Sequence, residues 1–357
     1  MTETNAAAEA GTGGDGSGTP SPRGQAPAPS GLGHLLKRTF TANESWTFIA
    51  LIVLMAVFTG WSPGKFLTAD NLSLIAQGAA PFLVMAVGET FVILTAGIDL
   101  SVGFVLVLSG VVAGEYYVHN GGTNAGVGTI LVGVLIGLAT GGAYGLMQGF
   151  MVAKLKIPPL IATLAGLGGA EGLSYLITGG HDVATVPGKL ASSIGQGSLF
   201  GIQWLIVISF LVALLFGLIL AFTRFGRYTY AIGSNAEAAR RVGIKVDRYL
   251  IGVYALSGLM AGLAGIMNLA YYSTTTISGH PLDTLVVITA VVLGGASLFG
   301  GRGSILGTFI GVFIPEMLAA GLIIVGVNQY WQYILTGVVL AAAVYLDQFR
   351  RRLRERA

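Results

Sequence analysis

Apolar runs of membrane-spanning length recur along this 357-residue chain from Trp46 to Leu346, with no long polar interval between them. A helix needs about 20 apolar residues to cross a bilayer core, where every backbone polar group must be satisfied within the segment. The runs therefore dictate a polytopic helical protein. Composition agrees, since 54% of residues are hydrophobic and only 10% charged, against about 25% charged in soluble domains. Spans fall near 46–61, 72–96, 102–118, 126–150, 159–178, 203–222, 249–271, 282–298, 303–325 and 330–346. The second and third could instead be one helix broken around Gly97-Ile98-Asp99, and Pro81 predicts a kink in the second. A division into five and five near residue 190 would invert one half relative to the other, a common transporter plan. The expected fold class is all-α integral membrane, with about ten transmembrane helices, two inverted five-helix halves and at least one broken helix.

Basic residues give this framework an orientation, because cytoplasmic loops collect Lys and Arg. With the N-terminus inside, the inner segments hold Arg23, Lys37, Arg38, Lys154, Lys156, Arg224, Arg227, Arg240, Arg241, Lys245, Arg248, Arg302, Arg350, Arg351, Arg352, Arg354 and Arg356, and the outer loops only Lys65 and Lys189. Both termini are thus expected in the cytoplasm. The same placement accounts for the net charge of +3 without a nucleic-acid role.

Three domains are expected. Residues 1–40, rich in Gly, Pro, Ala and Ser, read as a disordered cytoplasmic tail, 41–348 as the polytopic transmembrane domain, and 349–357 as a basic cytoplasmic tail. The first stretch lacks the basic start and apolar core of a signal sequence. Its Gly11, Gly13 and Gly16 fall in dinucleotide-motif spacing, but no strand precedes them and no helix follows. The chain has no cysteine, and His34, His119, His181 and His280 show no metal-ligand spacing, so no metal site is expected.

Glycine organises the helices. Its 55 residues are about twice ordinary usage. Gly133, Gly137, Gly141, Gly145 and Gly149 recur at every fourth position, Gly303, Gly307 and Gly311 repeat the device, and Gly258 and Gly262 echo it. In lipid, helices associate where small residues let backbones approach, so these stripes are expected to be packing faces.

The segment from Thr223 to Arg248 looks folded. Ser234 followed by Glu237 matches a capping box, the Ala-rich stretch from Asn235 to Val242 favours helix, and Gly243 supplies a stop. A passive connector needs no such caps, so a docking element is favoured over a spacer. Energy must come from outside the chain: the stretches around Pro187-Gly188-Lys189-Leu190 and from Gly295 to Arg302 both lack a complete phosphate-binding loop. Any ATP and Mg²⁺ would be used by a separate subunit.

Four motifs in order resemble the permease subunits of ribose-, xylose- and galactose-type binding-protein-dependent ABC importers. They are Gly88-Glu89-Thr90 leading into Ile93 to Gly103, Pro158 to Leu164, Phe225 to Ile244, and Val291 to Thr308. The resemblance covers nearly everything from Asn71 to Asp347. It implies a homodimeric or pseudo-dimeric membrane unit, a cytoplasmic ATPase subunit, an extracytoplasmic solute-binding protein, a sugar-like solute and residence in the cytoplasmic membrane. It also implies that Gly226, Arg227, Ala231, Gly233, Ser234, Asn235, Glu237, Ala238, Ala239 and Gly243 belong to an ATPase-coupling loop within 223–248. The chain departs from the family pattern at Ala96, where a second glycine is usual, at Glu171, at His280-Pro281-Leu282-Asp283 and at Ala320. These positions lie mainly along the path or its outer mouth and bear on which solute is carried.

Candidates for the path or gate are Glu89, Thr95, Asp99, Ser101, Thr163 and Asn268, with Gln77 and Gln148 able to meet a hydroxyl in passing. Glu89, Glu171 and Glu316 lie within apolar runs, where a charge costs about 2.5–3.5 kcal/mol, so each must face protein or water. Hydrogen bonding between helices and solute contact remain open for all three. Asp99 precedes the third run directly and is expected to cap it, with gate lining as the alternative. Tyr271 and Tyr272 read as interfacial anchors. An ion-coupled secondary transporter would share the many spans and buried carboxylates and is the alternative function. A membrane enzyme is disfavoured, because no catalytic constellation is apparent.

Overall fold

A computed structural model describes residues 42–355 apart from 279, 281 and 329. The expected tail of residues 1–40 and Pro281 lie outside the described residues. Each of the ten apolar runs coincides with a helix: α1 (Ala42–Trp61), α2 (Ala69–Leu94), α3 (Val102–His119), α4 (Val127–Ala153), α5 (Pro159–Thr178) and α6 (Trp204–Phe222), then α9 (Val246–Tyr272), α10 (Asp283–Leu293), α11 (Ile305–Ile324) and α12 (Tyr330–Glu355). Between α6 and α9 lie α7 (Arg224–Ser234) and α8 (Ala236–Arg241). Among the described residues, seven helices are long and apolar enough to cross a membrane: α2 to α6, α9 and α11.

Two junctions refine the sequence expectation. The second and third runs are separate helices parted by the non-helical stretch from Thr95 to Ser101, and α2 continues through Pro81. The run 282–298 is only half helical: α10 has 11 residues, about 16 Å at 1.5 Å per residue, or half of a core about 30 Å thick. Gly294 to Ser304 completes that run as a loop. At the other end, α12 continues as helix through 349–355, with no break at 348.

Burial sorts the helices into layers. In α2 83% of the most apolar window is buried, against 22% in α4 and in α6. Leu131 and Leu135 of α4, with Leu211, Leu214, Leu215 and Leu218 of α6, point outward, as a lipid-facing surface requires. The packing also repeats across the halves. Helix α3 lies against α4 and α5 as α10 lies against α11 and α12, while α2 meets α10 and α11 as α9 meets α3 and α4. Helices α2 and α9 touch each other at the centre, and α1 and α6 break the correspondence because both lie on α11.

The glycine stripes do what their spacing predicts. A methyl at Gly141 would come within 2.8 Å of the Gly262 backbone, and one at Gly149 within 2.8 Å of Ile251 Cα. Gly133 faces Tyr117 and Gly137 faces Ile266, so the whole stripe of α4 faces α9 and its neighbour α3. Gly307 and Gly311 meet Gly294 and Ala290 at the end of α10. Gly303 is the exception. It stands outside α11 at φ +147°, in the loop before the N-cap Ser304, where it packs on Ala296.

Candidate functional site

Where α2, α4, α5 and α9 converge on the α2–α3 junction, polar side chains gather in the bundle core. Asp99 is 1% exposed, and its Oδ1 accepts from Ser101 N at 3.0 Å and Ser101 Oγ at 2.6 Å, while Oδ2 accepts from Ser257 Oγ at 3.0 Å. The Asp99 amide donates to Glu89 Oε1 at 3.1 Å. Gln148 Nε2 donates to Ser101 Oγ at 2.6 Å, and Thr163 Oγ1 reaches Ile98 O at 3.3 Å. Four of the six expected path residues, Glu89, Asp99, Ser101 and Thr163, therefore belong to one cluster closed to solvent in this conformation. Gln148, Ser257 and Tyr254 complete it. The apolar setting of Tyr254 in its helix hid it, although its hydroxyl lies where a Cβ on Gly97 would fall 2.6 Å away.

The expectation that Asp99 caps α3 needs correction. The N-cap is Ser101, which makes no side-chain capping bond. Asp99 lies two residues upstream and folds the approach to the helix onto itself through the Ser101 amide. It also spans from that turn to α9 through Ser257, a contact between residues 158 positions apart that local spacing could not reveal. The other two path candidates lie elsewhere. Thr95 returns its hydroxyl to Val92 O at 2.8 Å, and Asn268 sits on α9 three turns beyond Ser257, half-buried.

A second polar group surrounds the start of the half-length α10. His280 Nδ1 lies 2.5 Å from Asp283 Oδ2, and its Nε2 lies 2.7 Å from Thr276 Oγ1. This fits a proton on Nδ1 donated to Asp283, with Nε2 accepting from Thr276. Thr284 Oγ1 accepts from Gly103 N at 3.1 Å, fastening α10 to the first turn of α3. Glu316 on α11 reaches across to α2, where Gly78 leaves room for its carboxylate. Glu171 is half-buried on α5.

The basic face carries α7 and α8. The capping-box assignment shifts by one residue: the N-cap of α8 is Asn235, whose Oδ1 accepts from Ala238 N at 2.9 Å, and Ser234 ends α7 instead. Glu237 pairs forward with Arg241 at 3.1 Å rather than back to the cap. Gly243, at φ +86°, stops the helix as expected. Helix α7 itself was not anticipated; Thr223 caps it through Gly226 N at 3.3 Å. Asp247 on α9 holds Lys154 at 3.4 Å, Lys156 at 3.0 Å and Arg240 at 3.6 Å, tying α8 to the α4–α5 loop.

Glycines join this face to the core. Gly301 N donates to Leu94 O at 2.9 Å, Tyr230 Oη donates to Gly303 O at 2.7 Å, and Gly233 packs against both Leu94 O and Gly301 N. The end of α2, the end of α7 and the α10–α11 loop thus meet backbone to backbone. No side chain longer than hydrogen fits at Gly233, where the backbones of Leu94 and Gly301 stand in the way.

Residues 71–344 match the family described as branched-chain amino acid transport system / permease component. The chain belongs to this family of import permeases. It is 42% identical over 85% of its length to the ribose import permease protein of Escherichia coli (strain K12), covering 93% of that protein. It is 35% identical to the fructose import permease protein of Rhizobium meliloti, covering 85% of each chain. The D-allose transport system permease protein of Escherichia coli (strain K12) is 33% identical, with 85% of this chain and 90% of that protein covered. No solved structure matches. The chain is thus a multi-pass membrane permease subunit of the ABC import type. Three of the four motifs that carried the resemblance converge on the glycine junction of this permease. The glycine usual at the position of Ala96 also finds an explanation: Ala96 has φ +60°, a left-handed conformation in which glycine carries no Cβ penalty.

Proposed function

We propose that this permease carries a monosaccharide or related sugar-like solute inward, driven by ATP and Mg²⁺ used in a cytoplasmic ATPase subunit docked on α7 and α8. It works as a homodimer, with an extracytoplasmic binding protein delivering solute to the opposite face and both termini in the cytoplasm. The observation that carries this reading is the backbone junction of Gly233, Gly301 and Leu94, because a push on α8 passes through α7 into α2 and the α10–α11 loop without a flexible joint. The polar cluster around Asp99, in the non-helical stretch that follows Leu94, binds α2, α4 and α9 into one moving body.

The solute class follows the relatives named for ribose, fructose and allose import, while the family description names branched-chain amino acids. Reconstitution with the ATPase and binding protein decides between them. ATP-dependent uptake of one of these sugars is expected, and uptake of leucine alone would overturn the sugar assignment. Uptake driven by an ion gradient without ATP would establish the secondary-transporter alternative.

A further inference from the structure

Beside the docking helices, where span α6 ends at Phe222 and span α9 begins at Val246, lies a cavity of about 490 Å³. Phe225, Tyr228, Ile244, Lys245, Arg248 and Tyr249 are among its lining residues. Its wall is a ring cluster, with Tyr249 5.8 Å from Phe225 and 5.2 Å from Tyr228 between centroids, the latter pair edge to face. Lys245 and Arg248 are exposed, and neither has a carboxylate partner among the described residues. Asp247, which stands between them in sequence, is already engaged by Lys154, Lys156 and Arg240. From Thr223 to Arg248 there are six Lys or Arg residues against two acids, Glu237 and Asp247, so the local field is positive.

We propose that this cavity binds the phosphate-bearing head group of an anionic phospholipid. Lys245 and Arg248 meet the phosphate, and the hydroxyls of Tyr228 and Tyr249, which have no hydrogen bond to protein among the described residues, are free to donate to it or to the glycerol. The position fits. Head groups lie at the ends of spans, where basic and aromatic residues collect, and juxtamembrane Lys and Arg attract anionic lipid. Phe222, the last residue of α6 and three positions before the lining Phe225, is 75% exposed, leaving apolar surface at the end of the span. A soluble phosphate would use the cations but not this aromatic wall, and an acidic protein partner would need no apolar lining. A bound lipid would join the start of α7 to the start of α9, so its presence would stiffen the docking helices.

The proposal depends on the orientation proposed above only in assigning the lipid to the inner leaflet, which thiol labelling at position 238 decides separately. The test is native mass spectrometry of the full chain in detergent with dioleoyl phosphatidylglycerol, dioleoyl phosphatidylcholine or inorganic phosphate. Phosphatidylglycerol should be retained in preference to phosphatidylcholine, and phosphate should not displace it. Retention should weaken about fivefold in Arg248→Gln and roughly 25-fold when Lys245→Gln is added. The charge-conserving pair Lys245→Arg with Arg248→Lys should keep most of it. Equal retention by the double Gln variant, or displacement by phosphate, would overturn the proposal. So would unchanged phosphatidylglycerol retention combined with loss of the ATPase subunit from the double Gln variant, because the cavity would then be a protein-docking surface.

Discussion

Asp99 makes three hydrogen bonds through its carboxylate and one through its amide, with no exposed atom to recover them from water. Its replacement by Ala leaves two buried hydroxyls to find other partners, and each unsatisfied buried polar group costs about 1–3 kcal/mol. Asp99→Asn keeps the oxygen that faces Ser101 and presents an amide to Ser257, whose hydroxyl can accept instead. Asp99→Ala is therefore expected to accumulate poorly in the membrane and to unfold several degrees earlier in detergent, while Asp99→Asn should fold and transport nearly as the native chain does. An Asp99→Asn protein that is abundant and assembled yet inert would show that the charge itself serves transport.

At the scale of the helix, adjacent glycines have opposite roles. Gly141 lies against the backbone of Gly258 and Gly262, whereas Gly142 has Leu259 side-chain atoms no nearer than 3.8 Å. Gly142→Ala should be tolerated and gain up to about 1 kcal/mol of helix propensity. Gly141→Ala must push α4 from α9 and should lower the yield of monodisperse protein on gel filtration. In α8 the informative position is Ala239, which is buried and donates its amide to Asn235 O at 3.0 Å. Ala239→Pro removes that bond at a cost of about 3 kcal/mol in a six-residue helix, too little structure to absorb it. Solute-stimulated ATP hydrolysis by the assembled transporter should fall at least tenfold with the membrane bundle intact. Normal stimulation would reduce α8 to a spacer.

Across the whole molecule, the basic asymmetry and the placement of α7 and α8 at one end of the bundle predict sidedness. The chain has no cysteine, so single thiols report without background. Exposed Ser192, in a short helical turn between α5 and α6, should react as Ser192→Cys with an impermeant reagent on intact cells. Ala238→Cys, exposed on α8, should react only after the membrane is opened. The reverse labelling at either site would invert or break the proposed topology.

Taken alone, the sequence determined the all-α membrane class of fold, where its apolar helices fall along the chain and the glycine face of α4, because each is written in local periodicity and in the cost of placing polar backbone in lipid. It also showed that the segment from Thr223 to Arg248 is folded, through the Ala-rich run and the stop at Gly243. Only the tertiary structure decided which side chains meet. Asp99 and Ser257, Gly103 and Thr284, and Tyr230 and Gly303 are brought together across 158, 181 and 73 positions. The same holds for the half-length of α10: its apolar run continues past Leu293 through Gly294, Gly295 and Ala296 to Leu298, so the run alone did not mark where the helix, packed on α11 and α2, ends. The cap of α8 was ambiguous for a related reason. Ser234 and Asn235 are both good N-caps, and the choice fell to Asn235 because Gly233 is pinned against Leu94 and Gly301, which holds Ser234 as the last residue of α7.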